Sequence, residues 1–176
     1  VSVNTPTKTF GAGAGKAADL QYWEKTARQI LENAEPPKIV IEKSALPVRT
    51  ALAMERILNC RNNGVRFDVL SNPEFLAEGT SVYNFMNPNR IVVGVDSDRA
   101  RKIFEEIYEP FTSKGFPLLF TDIPSAEIIK YASNAFLAIK ISYINMISDL
   151  CQRTGANIDD VSKGVGLDHR IGDKFL

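Results

Sequence analysis

The chain has 176 residues, 44% hydrophobic and 24% charged, with 21 basic residues balancing 21 acidic ones. That size and balance suit a soluble globular protein of one or two domains that buries its own core, and they exclude a polyanion-binding surface built on excess positive charge. Two cysteines (Cys60, Cys151) and one histidine (His169) make neither a disulfide framework nor a zinc site, and no run of about 18 apolar residues offers a membrane span.

Val1 to Val3 reads as the end of a strand. Asn4 to Lys16 is polar and Gly-rich and predicts a flexible loop. Ala18 to Asn33 carries Leu20, Trp23, Ala27, Ile30 and Leu31 at helical spacing and stops before Pro36-Pro37. Lys38 to Glu42 predicts a short strand, Ile39-Val40-Ile41, apolar without alternation as when both sheet faces are covered. Pro47 opens a helix to about Asn59, and Asn62-Asn63-Gly64 is a turn. Phe67 to Leu70, Arg90 to Gly94 and Pro117 to Thr121 are further strands, with a helix from about Ser97 to Tyr108 between the last two. This order predicts a layered α/β domain with a mostly parallel sheet over residues 1–123. From 124 to 176 the pattern becomes helical. Ser125 to Arg153 is one long helix with the stripe Ile128, Ala132, Phe136, Ile139, Tyr143, Met146, Leu150, and Asn157 caps a shorter helix to about Val165. A helix of that length suits the spine of a helical domain or a subunit interface.

Three polar segments leave strand ends on one edge: Asn4-Thr-Pro-Thr7, Glu42-Lys-Ser44 and Ser71-Asn-Pro-Glu-Phe-Leu-Ala-Glu-Gly-Thr80. Ligands of such sheets bind beyond that edge. In the last segment Glu74 and Glu78 stand four apart around Phe75, Leu76 and Ala77. Two readings stand for it: carboxylates held near apolar groups for proton transfer, or a capping box with Ser71 as N-cap and Glu74 three residues on. Lys130 and Asn134 share a face of the long helix; they are either solvated or aimed at an oxygen gaining negative charge. Arg170 is a surface charge or a phosphate or carboxylate ligand. Gly11-Ala-Gly-Ala-Gly15-Lys16 fits neither the dinucleotide fingerprint nor the P-loop.

These segments, with Lys38-Ile-Val40, Pro47-Val-Arg49, Asn87-Pro-Asn-Arg90, Asn134-Ala-Phe-Leu-Ala138, Thr154-Gly-Ala156 and Arg170-Ile-Gly172, carry a resemblance to the UDP-glucose/GDP-mannose dehydrogenase family over nearly the whole chain. Ser-Asn-Pro-Glu-Phe-Leu-x-Glu-Gly is specific to it, and the likeness leans to the branch acting on UDP-glucose. The resemblance implies the second half of a Rossmann-like NAD-binding domain followed by the start of an all-helical central dimerisation domain. It implies oxidation of a primary alcohol to a carboxylate with two NAD, through a thioester on a cysteine. Glu74 is then the general base, Lys130 the cation at developing oxyanions and Asn134 its hydrogen-bonding neighbour. Phe75, Leu76, Ala77, Glu78 and Arg170 join them around the nucleotide sugar, with Arg170 reaching a neighbouring subunit. Val3, Asn4, Thr5, Pro6, Thr7, Ser44, Ala45, Leu46 and Glu78 border the NAD.

The family's Gly-x-Gly-x-x-Gly turn is expected before Val1 and its nucleophilic cysteine after Leu176, so this polypeptide is not expected to turn over alone. Ala45 stands where the family usually has Thr. No metal, nucleic acid or membrane is expected, the intact protein is expected to be a homodimer or higher homo-oligomer, and the default location is cytoplasmic. The rival readings are the same chemistry on a UDP-N-acetylhexosamine or GDP-mannose, and a noncatalytic binding or dimerisation module.

Overall fold

The computed structural model describes residues 1–60 and 66–176, so the turn expected at Asn62-Asn63-Gly64 lies outside the described residues. Among the described residues four strands are present: β1 (Ile39–Glu42), β2 (Asp68–Ser71), β3 (Ile91–Gly94) and β4 (Leu118–Thr121). The helices are α1 (Gln21–Asn33), α2 (Thr50–Leu58), α3 (Ser81–Met86), α4 (Asp98–Thr112), α5 (Ile123–Thr154) and α6 (Ile158–Gly166). The chain divides into two compact units, Val1–Lys130 and Tyr131–Leu176.

In the first unit the strands lie in the order β1-β2-β3-β4. β1 and β2 are parallel, pairing Ile39 with Asp68 through Glu42 with Ser71, and β3 and β4 are parallel. β2 and β3 run antiparallel and meet at Ser71 and Gly94. A parallel return needs a crossover that covers a sheet face. The segment between β2 and β3 holds only α3, which buries no residue, so the chain doubles back instead.

Side chains alternate between the two sheet faces. On one face Val40 and Val69 pack under Trp23 and Ala27 of α1 and Ala51, Met54 and Leu58 of α2. On the other, Leu70, Ile91 and Val93 meet Ala100, Phe104 and Tyr108 of α4. Each buried Val, Leu, Ile, Met or Phe side chain among these contributes about 1.5–3 kcal/mol. Glu42 shares the parity of Val40, so it is driven under Trp23. Gly94 lets α5 begin close against β3, since a Cβ there would stand 2.7 Å from both Ile123 Cα and Ala126 Cβ.

Several local expectations are corrected. Val1 to Val3 forms no assigned strand, although Val1 brackets Glu42 with a bond from its nitrogen to the Ile41 carbonyl and one from the Lys43 N–H to its own carbonyl, the parallel pattern. The Gly-rich segment is an ordered hairpin: Thr7 bridges Ala18, and Lys8 N–H donates to the Ala17 carbonyl at 2.8 Å. Pro47 does not open α2, which starts at Thr50 because Arg49 takes a left-handed φ of 78°. Ser71 belongs to β2, so the capping box is not formed; the next helix, α3, was not among the expected elements.

In the second unit, α5 continues and Asn157 caps α6 by accepting the Asp159 N–H at 2.9 Å. Phe136, Ile139, Met146 and Leu150 along α5 are exposed. Among the described residues no helix is long and apolar enough to cross a membrane.

Candidate functional site

Beyond Ser71 the chain leaves the sheet in an irregular segment, and Asn72 fixes its course. The Asn72 N–H donates to the Glu42 carbonyl and its amide to the Val92 carbonyl, both at 2.8 Å. Its Oδ1 accepts from Lys43 Nζ at 2.9 Å and from the Tyr108 hydroxyl. One buried amide thus ties β1, β3 and α4 to the start of the motif. Burial pushes the Lys43 amine down, opposed by Glu74, and pushes the Tyr108 hydroxyl up, opposed by its bond to Asn72.

Pro73 then delivers Glu74 to the first turns of α5, where Lys130 is buried. The Lys130 ammonium donates to the Glu74 backbone carbonyl. It also lies 3.2 Å from Glu74 Oε2. That oxygen is shielded from solvent yet has no hydrogen bond, so the ammonium sits beside it but off its bonding direction. Phe75 is half-buried with the Arg90 guanidinium 4.0 Å and the Lys130 ammonium 5.4 Å from its ring centre. The motif therefore divides: Glu74 and Phe75 meet Lys130, whereas Leu76, Ala77 and Glu78 are exposed. The apolar wall expected to shelter both carboxylates shelters only Glu74, because Ala77 N–H and the Thr80 hydroxyl are drawn outward to Asn84 Oδ1.

Lys130 lines a narrow cleft of about 10 Å³ with Glu42, Ser44, Ala45, Leu46, Ser71, Pro73 and Glu127. Beside it, two loops are laced together: Val3 N–H donates to Ser44 Oγ at 2.7 Å, Ser44 Oγ donates back to the Val3 carbonyl at 2.9 Å, and the Thr5 hydroxyl donates to the Ala45 carbonyl at 3.3 Å. Pro6 and Thr7 form the base of the hairpin, and Asn4 is exposed. In the second unit Asn134 is exposed, and Arg170, also exposed, is held by Asp168 at 2.6 and 3.0 Å. That pairing keeps the Asp168 carboxyl below its usual range.

Two buried acids were missed by the sequence reading. Glu42 is 2% exposed and accepts from Trp23 Nε1 at 2.6 Å. Burial, with the nearby Glu127 carboxylate adding to it, pushes its carboxyl up from 4.5 to about 7, and the Trp23 bond opposes this. Glu127 is 4% exposed and faces the start of α2. The parity of Glu42 with Val40, and the spacing of Glu127 from Lys130, are the signals that could have found them.

The raised Glu42 carboxyl makes the folded state hold its proton where the unfolded state has released it. Stability therefore falls as pH rises from about 4.5 to about 7 and levels above, by on the order of 3 kcal/mol in all. Glu42→Gln keeps an acceptor for Trp23 and has no such proton to lose. In thermal melts at pH 5 and 8, the variant is expected to gain on the wild type at the higher pH; parallel curves would refute the account.

Among the described residues no group of three or more His, Cys, Asp or Glu is placed to hold a metal ion. The fold and the edge site define a Rossmann-like α/β domain followed by a helical segment. Residues 1–112 match the UDP-glucose/GDP-mannose dehydrogenase family, NAD binding domain, and residues 124–176 match that family's central domain. The chain belongs to the UDP-glucose/GDP-mannose dehydrogenase family. It is 50% identical over 180 aligned residues to UDP-glucose 6-dehydrogenase 1 of Glycine max and to UDP-glucose 6-dehydrogenase 4 of Arabidopsis thaliana, aligning over 100% of its own length and 37% of theirs. A UDP-glucose dehydrogenase from the archaeon Pyrobaculum islandicum shares 38% identity at a TM-score of 0.80, covering 90% of this chain and 37% of that one. A GDP-mannose dehydrogenase from Pseudomonas aeruginosa shares 28% identity at a TM-score of 0.82, covering 96% and 38%.

Proposed function

We propose that this chain supplies the lysine and carboxylate of an NAD-dependent dehydrogenase that oxidises the primary alcohol of UDP-glucose to the carboxylate of UDP-glucuronate. The observation that carries the reading is the buried Lys130 ammonium, which lines a cleft on the sheet edge and is bonded to the Glu74 carbonyl with the Glu74 carboxylate beside it. An ammonium has three donors. One goes to the Glu74 carbonyl and the carboxylate lies beside another, which leaves one for an oxygen in the cleft. Held rigidly and out of water, that donor stabilises an alkoxide or a tetrahedral oxyanion far more than water does. Glu74 Oε2, shielded and without a hydrogen bond, is available to take the hydroxyl proton, directly or through a water.

The laced loops at 3–7 and 44–46 fit one side of a dinucleotide at the strand ends. NAD, when bound, supplies the hydride acceptor. Ala45 lines the cleft without a hydroxyl, so a hydrolytic water must be held by other groups. We further assign residues 1–123 to the NAD-binding domain and 124–176 to the dimerisation domain, with the exposed apolar face of α5 covered by a second subunit that Arg170 reaches toward. The test is NADH formation by the full-length protein containing this chain, given UDP-glucose and NAD. Two NADH per UDP-glucose is expected. Activity with only GDP-mannose or a UDP-N-acetylhexosamine would move the substrate, and none with any nucleotide sugar would end the reading.

A further inference from the structure

Helix α2 begins without a cap of its own: Arg49, its N-cap residue, is left-handed and offers its first turn no side chain. The first N–H groups of a helix need acceptors, and a carboxylate there also meets the positive end of the helix dipole. Glu127, on α5, fills that role from far along the chain. Its Oε2 accepts the Arg49 N–H at 2.7 Å and its Oε1 the Ala51 N–H at 3.1 Å. The Thr50 hydroxyl lies 3.3 Å from Oε1 but donates to the nearer Pro47 carbonyl at 2.8 Å.

Glu127 stands one helical turn before Lys130, and both line the same cleft with the 44–46 loop that leads into α2. A carboxylate with both oxygens engaged by backbone fixes α5 by two points against that loop. The lysine that follows inherits that position. We infer that Glu127 is a positioning residue: by capping α2 it sets where the Lys130 ammonium stands relative to the 44–46 loop, and so to the reacting alcohol.

This inference rests on the dehydrogenase reading. A displacement of about 1 Å in a reacting geometry can cost about 10²-fold in rate. In the full-length protein, Glu127→Gln keeps the shape, removes the charge and leaves one acceptor for two N–H groups. It is expected to lower kcat with UDP-glucose and NAD about 10–100-fold while both KM values stay within about threefold. The readout that a merely structural role would not move is a double-mutant cycle. With Lys130→Ala already present, adding Glu127→Gln is expected to cost less than about threefold more, since there is no ammonium left to place.

Losses that multiply would overturn the positioning role while leaving Lys130 in the mechanism, and so would a Glu127→Gln enzyme with wild-type kcat. A Lys130→Ala enzyme of full activity would overturn both this inference and the reading beneath it. If Glu127→Gln does not fold, Glu127→Asp serves in the same cycle. It keeps the charge and withdraws both oxygens by one methylene, and the same non-additivity is expected.

Discussion

Lys130→Ala is expected to lower kcat about 10²–10³-fold with UDP-glucose and NAD in the full-length protein, the usual cost of losing a preorganised donor at a developing oxyanion. The structure says why one side chain carries so much. Lys130 is 7% exposed and paired with the Glu74 carboxylate at 3.2 Å, but its hydrogen bond goes to a backbone carbonyl, so it keeps a donor for another oxygen. A charge held this way is desolvated in advance and needs no reorganisation when negative charge forms. Lys130→Met separates chemistry from packing, because it keeps most of the buried stem and removes the ammonium. The same loss of kcat with a melting temperature within a few degrees of wild type is expected. A Met variant that turns over normally would remove the lysine from the mechanism.

The layered sheet was legible because parallel strands covered on both faces read as short apolar runs, and Ile39-Val40-Ile41 and Ile91-Val-Val93 are such runs. The antiparallel junction was not, since it depends on α3 failing to cover a face: Val82, Phe85 and Met86 have helical spacing yet stay exposed. Glu74 stood out within the Ser71–Thr80 segment and Lys130 as a lysine on the long helix; that the two meet is a tertiary fact. Glu78 shows the opposite outcome. Sequence spacing placed it with Glu74, but outside a helix a separation of four does not align side chains, and Glu78 faces solvent. Glu42 and Glu127 lie hidden for another reason: an acid next to an apolar run reads as a surface terminus until the helix that covers it, with Trp23 or with the uncapped start of α2, is in place.

Glu74→Gln is expected to cost 10²–10⁴-fold in kcat, the range for losing a positioned general base. The substitution is unusually clean here, because Lys130 is anchored to the Glu74 backbone carbonyl, which the variant retains. What changes is the shielded, unbonded Oε2 beside the ammonium, replaced in the amide by a group unable to take a proton. The stage of the reaction at which the base acts can then be read from pre-steady-state kinetics. If Glu74 takes the proton of the alcohol, the first NADH of each turnover slows with the steady rate. If it activates the water that releases the acid, a rapid burst of NADH precedes a slow steady state, and the acylated enzyme accumulates. An unchanged kcat with unchanged NADH transients would mean that the proton leaves by another group, and the buried Glu42, which lines the same cleft with a carboxyl near 7, is then the next to replace.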